Sequence, residues 1–85
     1  MLPKTWTVTT PDEPAFREWE APDFVTAVRM IDKIAEVAEA LDHHPDVHLT
    51  QYKRLRIETL SHDVGHLTTR DEKLAQAIDD ALAAP

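Results

Sequence analysis

The sequence predicts an α+β domain in which a small antiparallel β-sheet carries helices packed on one of its faces. Short segments rich in β-branched or alternating residues are interleaved with two longer segments whose apolar residues recur at helical spacing. The chain has 85 residues and shows no linker, internal repeat or low-complexity tract. We therefore expect one domain over residues 1–85.

The first two segments are predicted to form a β-hairpin. Residues 5–10 (TWTVTT) are rich in β-branched side chains and end at Pro11, and residues 15–21 (AFREWEA) alternate between two faces. The turn sequence between the two segments favours their antiparallel pairing.

The first helix is predicted to run from Asp23 to the region of residues 41–43. Its apolar stripe consists of Phe24, Ala27, Val28, Ile31, Ile34, Ala35, Ala38 and Leu41. Pro22 suits the first turn, where its missing N–H costs little. Pro45 stops the helix, because the residue before a proline disfavours the helical backbone.

The second half of the chain is predicted to add strands and a final helix. Residues 47–49 are a short extended piece, and residues 53–61 are the clearest strand. One face of this strand carries Leu55, Ile57 and Thr59. After a loop around Gly65, Thr68 and Asp71 form a capping box that starts the final helix. The apolar face of that helix consists of Leu74, Ala75, Ile78 and Leu82.

Composition excludes several classes of function. The net charge of −7 opposes binding to nucleic acid, and the absence of cysteine excludes disulfides and thiolate chemistry. No stretch approaches the ~20 apolar residues that span a membrane. We therefore expect a cytoplasmic protein without a nucleic-acid or membrane partner. The one basic cluster, Lys53, Arg54 and Arg56, favours a solvated strand face over a contact with a small anion or carboxylate.

Three of the five histidines lie in residues 41–48 (LDHHPDVH). His44 and His48 are four residues apart, as are His62 and His66, but both pairs lie outside the predicted helices. The fixed geometry of a helical metal site is therefore absent, and we expect no metal ion.

A proton-transfer site fits the histidines better than a metal site does. His43 and His44 lie at a helix end, where the helix dipole favours a protonated imidazole. His62 closes the long strand and Asp71 begins the final helix, so these side chains can meet in a cleft at one edge of the sheet. Spacing alone, however, favours a polar helix terminus without a chemical role.

The arrangement of these residues resembles that of a known family. The matching residues are Glu39, His43–Pro45, Tyr52, Ser61–His62, Leu67–Thr68, Arg70–Asp71 and Leu74–Ala75, with Trp19 and Asp23–Phe24 upstream. This pattern resembles the pterin-4a-carbinolamine dehydratase family over nearly the whole chain from Trp6. The resemblance implies the removal of water from a 4a-hydroxytetrahydropterin, without a metal or other cofactor, to give the quinonoid dihydropterin.

The resemblance also implies roles for individual residues. It implies that His43 and His62 are the general acid and base, and that His44 helps to bind the pterin and polarise its 4a-hydroxyl. The residues implied to support substrate binding are Glu39, Arg70 and Asp71. We therefore expect the side chains of His43, His44 and His62 to converge, with Asp71 nearby.

Three departures from the family pattern concern the implied pocket. Val47 stands where the family has an aromatic residue, one extra residue lies between Pro45 and Tyr52, and His66 stands where the family has glycine. Loss of an aromatic wall removes stacking area for a flat pterin, and small misplacements can cost ~10²-fold in rate. We therefore expect dehydratase turnover to be weak or absent.

The element HHPDVHLT, with its extra residue before Tyr52, resembles a branch of the family linked to RuBisCO assembly in chloroplasts and α-carboxysomes. This resemblance implies RuBisCO subunits as partners, a chaperone-like role in carbon fixation and association with the carboxysome. The first prediction is an assembly factor with little or no dehydratase activity. The alternative is an active 4a-hydroxytetrahydrobiopterin dehydratase (a hydro-lyase) in tetrahydropterin recycling. A metal-binding or purely structural protein ranks behind both.

The predicted sheet also bears on assembly. A small sheet leaves edges that need cover, and cyclic dimers are the commonest closed assembly. We therefore expect a homodimer in which strand edges pair across a two-fold axis. The alanines and the acidic Asp79 and Asp80 of the final helix give a thin apolar face, which favours a dimer over a tetramer.

Overall fold

The computed structural model describes residues 1–83 and contains three strands and two helices in the order β-α-β-β-α. The elements are β1 (Ala15–Glu20), α1 (Phe24–Leu41), β2 (Asp46–Thr50), β3 (Arg54–Thr59) and α2 (Thr69–Ala83). The predicted α+β class, an antiparallel sheet with both helices on one face, is confirmed. The two predicted helices and the predicted strands at 15–21, 47–49 and 53–61 are present with small shifts of their ends.

The three strands form one antiparallel sheet in the order β1-β3-β2. Side chains of β3 alternate between the two faces, so that Leu55, Ile57 and Thr59 are buried while Arg54 is exposed. This confirms the face predicted for that strand. β2 lies at one edge of the sheet, and the homodimer expected from pairing of strand edges stays a prediction.

The core lies between the inner face of the sheet and the two helices. Its members are Trp6, Ile34, Ala38, Leu55, Ile57, Leu74, Ala75 and Ile78. Each large aliphatic side chain in this set contributes about 1.5–3 kcal/mol by leaving water. The predicted stripe of α1 is confirmed for Ala27, Ile34 and Ala38, which are buried, whereas four of its other members are exposed: Phe24, Val28, Ala35 and Leu41.

The prediction of a strand at residues 5–10 is wrong. Only Thr7 pairs with β1, through two backbone hydrogen bonds to Phe16 of 2.7 and 3.0 Å. The reason is Trp6, whose side chain is buried in the core and whose Nε1 donates to Asp79 of α2 at 2.9 Å. Burial of this indole directs the segment toward α2, and a hairpin with β1 cannot continue.

The ends of α1 place the double histidine. Asp23 is the N-cap and its carboxylate accepts the N–H of Thr26 at 2.7 Å, so Pro22 lies before the cap and not in the first turn as predicted. At the other end Asp42 adopts a left-handed conformation with φ of 50° and closes the helix. His43 is the next residue, so the predicted position at a helix C-terminus is confirmed.

β2 and β3 are joined by a two-residue turn in which both central residues are left-handed. Gln51 has φ of 49° and Tyr52 has φ of 56°, and the N–H of Lys53 donates to the carbonyl of Thr50 at 3.3 Å. These are the features of a type I′ hairpin turn, which strongly favours asparagine and glycine. Side chains with a Cβ cost roughly 1–2 kcal/mol per residue in this conformation, so this hairpin stores backbone strain.

We predict that Tyr52→Gly is more stable than Tyr52→Ala by about 1 kcal/mol. Both changes remove the ring, which is mostly exposed, but only glycine also removes the Cβ from a left-handed position. The two variants are therefore a matched pair, and their free energies of unfolding are compared by urea denaturation. Equal stability of the two variants, or a more stable alanine variant, would contradict the strain assigned to this turn.

Candidate functional site

The candidate site is built around the carboxylate of Asp71, which is fully buried. Its Oδ1 accepts from Nε2 of His43 at 2.7 Å and from the hydroxyl of Thr59 at 2.5 Å. Its Oδ2 accepts from the hydroxyl of Ser61 at 2.7 Å and from the backbone N–H of Thr68 at 2.9 Å. Four donors thus converge on one carboxylate.

Three chain segments bring these donors together. His43 follows the left-handed end of α1, and Thr59 and Ser61 come at and just after the end of β3. Thr68 immediately precedes α2, whose first turn contains Asp71. The N–H of Thr68 donates to the Asp71 carboxylate, and this bond is one half of the predicted capping box. The site therefore forms only when both helices are docked on the end of β3.

The electrostatics of Asp71 reflect two opposing effects. Burial disfavours a charged carboxylate, but the hydrogen bonds from His43, Thr59, Ser61 and Thr68 favour it. The net result is a pKa below the ordinary value for aspartate. Asp71 is therefore ionised at neutral pH, and it presents a fixed negative charge to the His43 imidazole.

His44 and Glu39 form a second pair on the surface. Nε2 of His44 is hydrogen-bonded to the Glu39 carboxylate, and both side chains are exposed. The pair stands beside a groove of about 250 Å³ between α1 and β2. The groove is lined by Ile31, Ile34, Ala35, Ala38, Glu39, His44, Pro45 and Val47. This groove offers an apolar surface with polar groups at its rim, as small-molecule sites commonly do.

The remaining predicted site residues lie on or beside the loop that joins β3 to α2. Arg70 is exposed and donates from Nη2 to the carboxylate of Asp63 at 2.7 Å. His62 is also exposed, and it follows Ser61, which contacts Asp71 directly. The structure thus joins His43 to Asp71, and the convergence of all three histidines stays a prediction.

The set of site residues predicted from the sequence left out Thr59 and Ser61. Strand alternation could have identified Thr59, because it continues the inward-facing positions of Leu55 and Ile57 although its side chain is polar. A polar side chain that is buried needs a hydrogen-bond partner. Ser61 continues the same alternation as the last residue of the predicted strand, although β3 itself ends at Thr59.

Two features are lacking in the part of the chain that the structure describes. Within residues 1–83, no group of three or more histidine, aspartate or glutamate side chains is placed to hold a metal ion. Neither helix within that range is long and apolar enough to cross a membrane.

The family of this chain is shown by its sequence. The model of the family described as pterin 4 alpha carbinolamine dehydratase matches residues 1–81, and the chain belongs to this family. Two proteins named "Putative pterin-4-alpha-carbinolamine dehydratase" are similar to it. The one from Koribacter versatilis is 39% identical over 75% of this chain and 67% of its own length. The one from Acidobacterium capsulatum is 44% identical over 74% of this chain and 67% of its own length.

Two solved structures share the fold. A transcriptional coactivator/pterin dehydratase from Brucella melitensis aligns with a TM-score of 0.80 and 28% identity, covering 92% of this chain and 82% of its own. A pterin dehydratase-like protein identified as a RuBisCO assembly factor in the alpha-carboxysome aligns with a TM-score of 0.76. Its identity of 12%, over 95% of this chain and 93% of its own, makes the likeness one of fold alone.

We predict that Asp71 makes the stability of the fold sensitive to acid. Since the pKa of Asp71 is lower in the folded than in the unfolded chain, its contribution is present above the unfolded pKa and is lost as pH falls through the folded pKa. Asp71→Asn should lower the free energy of unfolding by roughly 3 kcal/mol near pH 7, because it removes a buried charge that accepts four hydrogen bonds. In acid the wild type should approach the variant.

The free energy of unfolding by urea is measured at several pH values from neutral to about 3. The lowest of these lies below the ordinary pKa of aspartate, where the difference between the two proteins should begin to shrink. Asp46→Asn is the matched control, since it makes the same chemical change at an exposed position. The control should follow the wild type at every pH. A difference between wild type and Asp71→Asn that does not shrink in acid would contradict the role assigned to this carboxylate.

Proposed function

We propose that the chain is a 4a-hydroxytetrahydropterin dehydratase in which His43 and His62 are the acid and base. The observation that carries this proposal is the buried Asp71 carboxylate bonded to His43 at 2.7 Å. A carboxylate in that position orients an imidazole and stabilises it once it is protonated. The relatives that are 39–44% identical carry the dehydratase name, which supports the same function.

The proposed reaction needs one proton acceptor and one proton donor. The base removes a proton from a ring N–H of the pterin, and the electrons of that N–H bond form a carbon–nitrogen double bond. The bond from the 4a carbon to the hydroxyl oxygen breaks, and the acid protonates the departing oxygen to give water. A histidine can serve in either role near neutral pH, and no oxidant or metal enters this balance.

We propose that the pterin lies in the groove between α1 and β2, with its reacting edge toward His44, the chain neighbour of His43; neither His43 nor His62 is itself among the groove residues. Its volume of about 250 Å³ and its apolar lining suit a flat ring system that is partly exposed. Glu39 and His44 stand at its rim, where they can bond to the polar edge of a pterin. Arg70, with its charge paired to Asp63, is proposed to support the loop that carries His62.

The departures from the family pattern differ in their bearing on this groove. Val47 lines the groove, so a valine side chain forms the wall where the family pattern has an aromatic ring. His66 is exposed, its ring is hydrogen-bonded to the carbonyl of Leu67, and it is not among the groove residues. We propose that Val47 lowers turnover by weakening the hold on the pterin.

We predict that the purified protein converts a 4a-hydroxytetrahydropterin, and that His43→Ala and His62→Ala each lower kcat by about 10²–10⁴-fold, as loss of a general acid or base does. Turnover is followed by the absorbance of the quinonoid product. His48→Ala is the matched control, because His48 is exposed on the outer face of the sheet, where it lies 3.6 Å from Glu58.

Two outcomes would count against this function. One is a rate that does not exceed the uncatalysed dehydration, and the other is a rate that survives both histidine changes. Val47→Phe adds a direct check on the groove, since a restored aromatic wall should lower KM for the pterin. An unchanged KM would indicate that the pterin does not bind in this groove, and the roles proposed for His43 and His62 would stand.

A second candidate function is assembly of RuBisCO, in a homodimeric, carboxysome-associated factor with little dehydratase activity. It is favoured by Val47, which leaves the groove without an aromatic wall, and by the likeness of fold to the assembly factor. RuBisCO subunits are the proposed partners. This candidate ranks second because the identity to that factor is only 12%.

We predict for this candidate that co-expression with RuBisCO subunits raises the yield of assembled enzyme on a native gel. His43→Ala is the matched control for catalysis, because an assembly role that needs no dehydration should survive it. An unchanged yield in the presence of the wild-type chain would eliminate the assembly role. A yield that falls with His43→Ala would tie the effect to the dehydratase site.

A further inference from the structure

We infer that Asp71 holds His43 in the tautomer that carries its hydrogen on Nε2, so that Nδ1 of the neutral ring is unprotonated and able to accept a proton. The inference deepens the proposed function and its catalytic consequence depends on that function. It assigns His43 as the base and leaves His62 as the acid. The tautomer itself follows from the hydrogen bonds of the free protein, whether or not a pterin is bound.

Four groups within residues 1–83 bond to the carboxylate of Asp71. The N–H of Thr68 is a backbone group and can only donate, and it bonds to Oδ2 at 2.9 Å. The Ser61 hydroxyl donates to the same oxygen at 2.7 Å, and the Thr59 hydroxyl donates to Oδ1 at 2.5 Å. Nε2 of His43 is the fourth partner, at 2.7 Å from Oδ1.

The hydroxyl of Thr68 completes this network. Ser61 uses its hydrogen on Asp71, so its oxygen accepts the hydrogen of the Thr68 hydroxyl, which lies 2.7 Å away. The Thr68 oxygen in turn accepts the backbone N–H of Arg70 at 3.2 Å. The hydroxyls of Ser61 and Thr68 each have one donor and one acceptor role, and the Thr59 hydroxyl donates to Asp71, so none of the three is free to donate to His43.

An ionised carboxylate has no hydrogen to donate, so the hydrogen between Asp71 and His43 belongs to the imidazole. The lowered pKa of Asp71 agrees with an ionised carboxylate at neutral pH. A neutral imidazole carries a single N–H. Once that N–H is committed to Asp71, Nδ1 is unprotonated and can accept a hydrogen.

The consequence for the proposed reaction is a division of labour between the two histidines. When His43 takes a proton at Nδ1, it becomes an imidazolium whose other N–H stays bonded to a buried negative charge. Asp71 therefore makes His43 the better proton acceptor. His62 is exposed, so solvent can return to it the proton that it gives to the departing hydroxyl.

The test is the isosteric variant Asp71→Asn, read by long-range ¹H–¹⁵N NMR of the histidine rings. The fixed N–H of Thr68 requires the amide oxygen of the asparagine on the former Oδ2 side. The amide NH₂ then faces His43, which must accept at Nε2 and carry its hydrogen on Nδ1. In a serine protease triad, the same replacement keeps the geometry but gives the wrong histidine tautomer.

The spectra are recorded at a pH where the titration of His43 in each protein shows it to be neutral. We expect Nε2–H in the wild type and Nδ1–H in Asp71→Asn. Thr59→Val is the matched control, because it removes one donor to Oδ1 and keeps the carboxylate, so His43 should retain Nε2–H. A wild type with Nδ1–H, or an Asp71→Asn protein with Nε2–H, would overturn the inference. If Asp71→Asn does not fold, the wild type and Thr59→Val decide.

The outcome for the tautomer is separable from the outcome for the proposed function. Dehydratase turnover in a protein whose His43 carries Nδ1–H would overturn the inference and leave the function standing. The expected tautomers in a protein without turnover would overturn the function and leave the inference standing. Loss of both the Nε2–H tautomer and turnover in Asp71→Asn would show that the orientation of His43 and catalysis are coupled.

Discussion

The buried carboxylate of Asp71 is the interaction on which the rest of the site depends. It has no exposed surface and joins α2 to the end of β3 and to the residue that follows α1. A buried charge of this kind is costly unless every partner is in place. His43 is one of the four donors that compensate this burial, so the bond that stabilises the carboxylate also fixes the position of His43. Stability and the candidate chemistry therefore share this contact.

Much of this could be predicted from the sequence, and the limits have physical causes. Periodicity identified both helices and the inward face of β3, and the motif around His43 identified the family. The segment at residues 5–10 was mispredicted because its β-branched residues are a local signal, whereas the position of Trp6 is set by its burial against α2. Likewise, the role of Ser61 depends on Asp71, which is ten residues away.

The predicted site residues are divided by the fold into a buried and an exposed group. His43 and Asp71 are held by the core, while His44, His62 and Arg70 depend on surface pairs or on a loop. Ion pairs on the surface contribute little to the stability of the fold, typically about 0–1 kcal/mol each. Substitutions in the exposed group should therefore have little effect on folding, whereas those in the buried group should lower the stability of the fold.

The contact between Trp6 and Asp79 has a consequence for how the chain is made. These residues are 73 positions apart, and the Asp79 carboxylate also accepts from Thr5 and from Arg17. The core that contains Trp6 cannot close while α2 is still inside the ribosomal exit tunnel. Synthesis proceeds at about 5–20 residues per second, so a nascent chain spends seconds with its indole exposed. Folding is therefore completed only after α2 emerges. Before that point, a chaperone that shields apolar segments can bind the nascent chain.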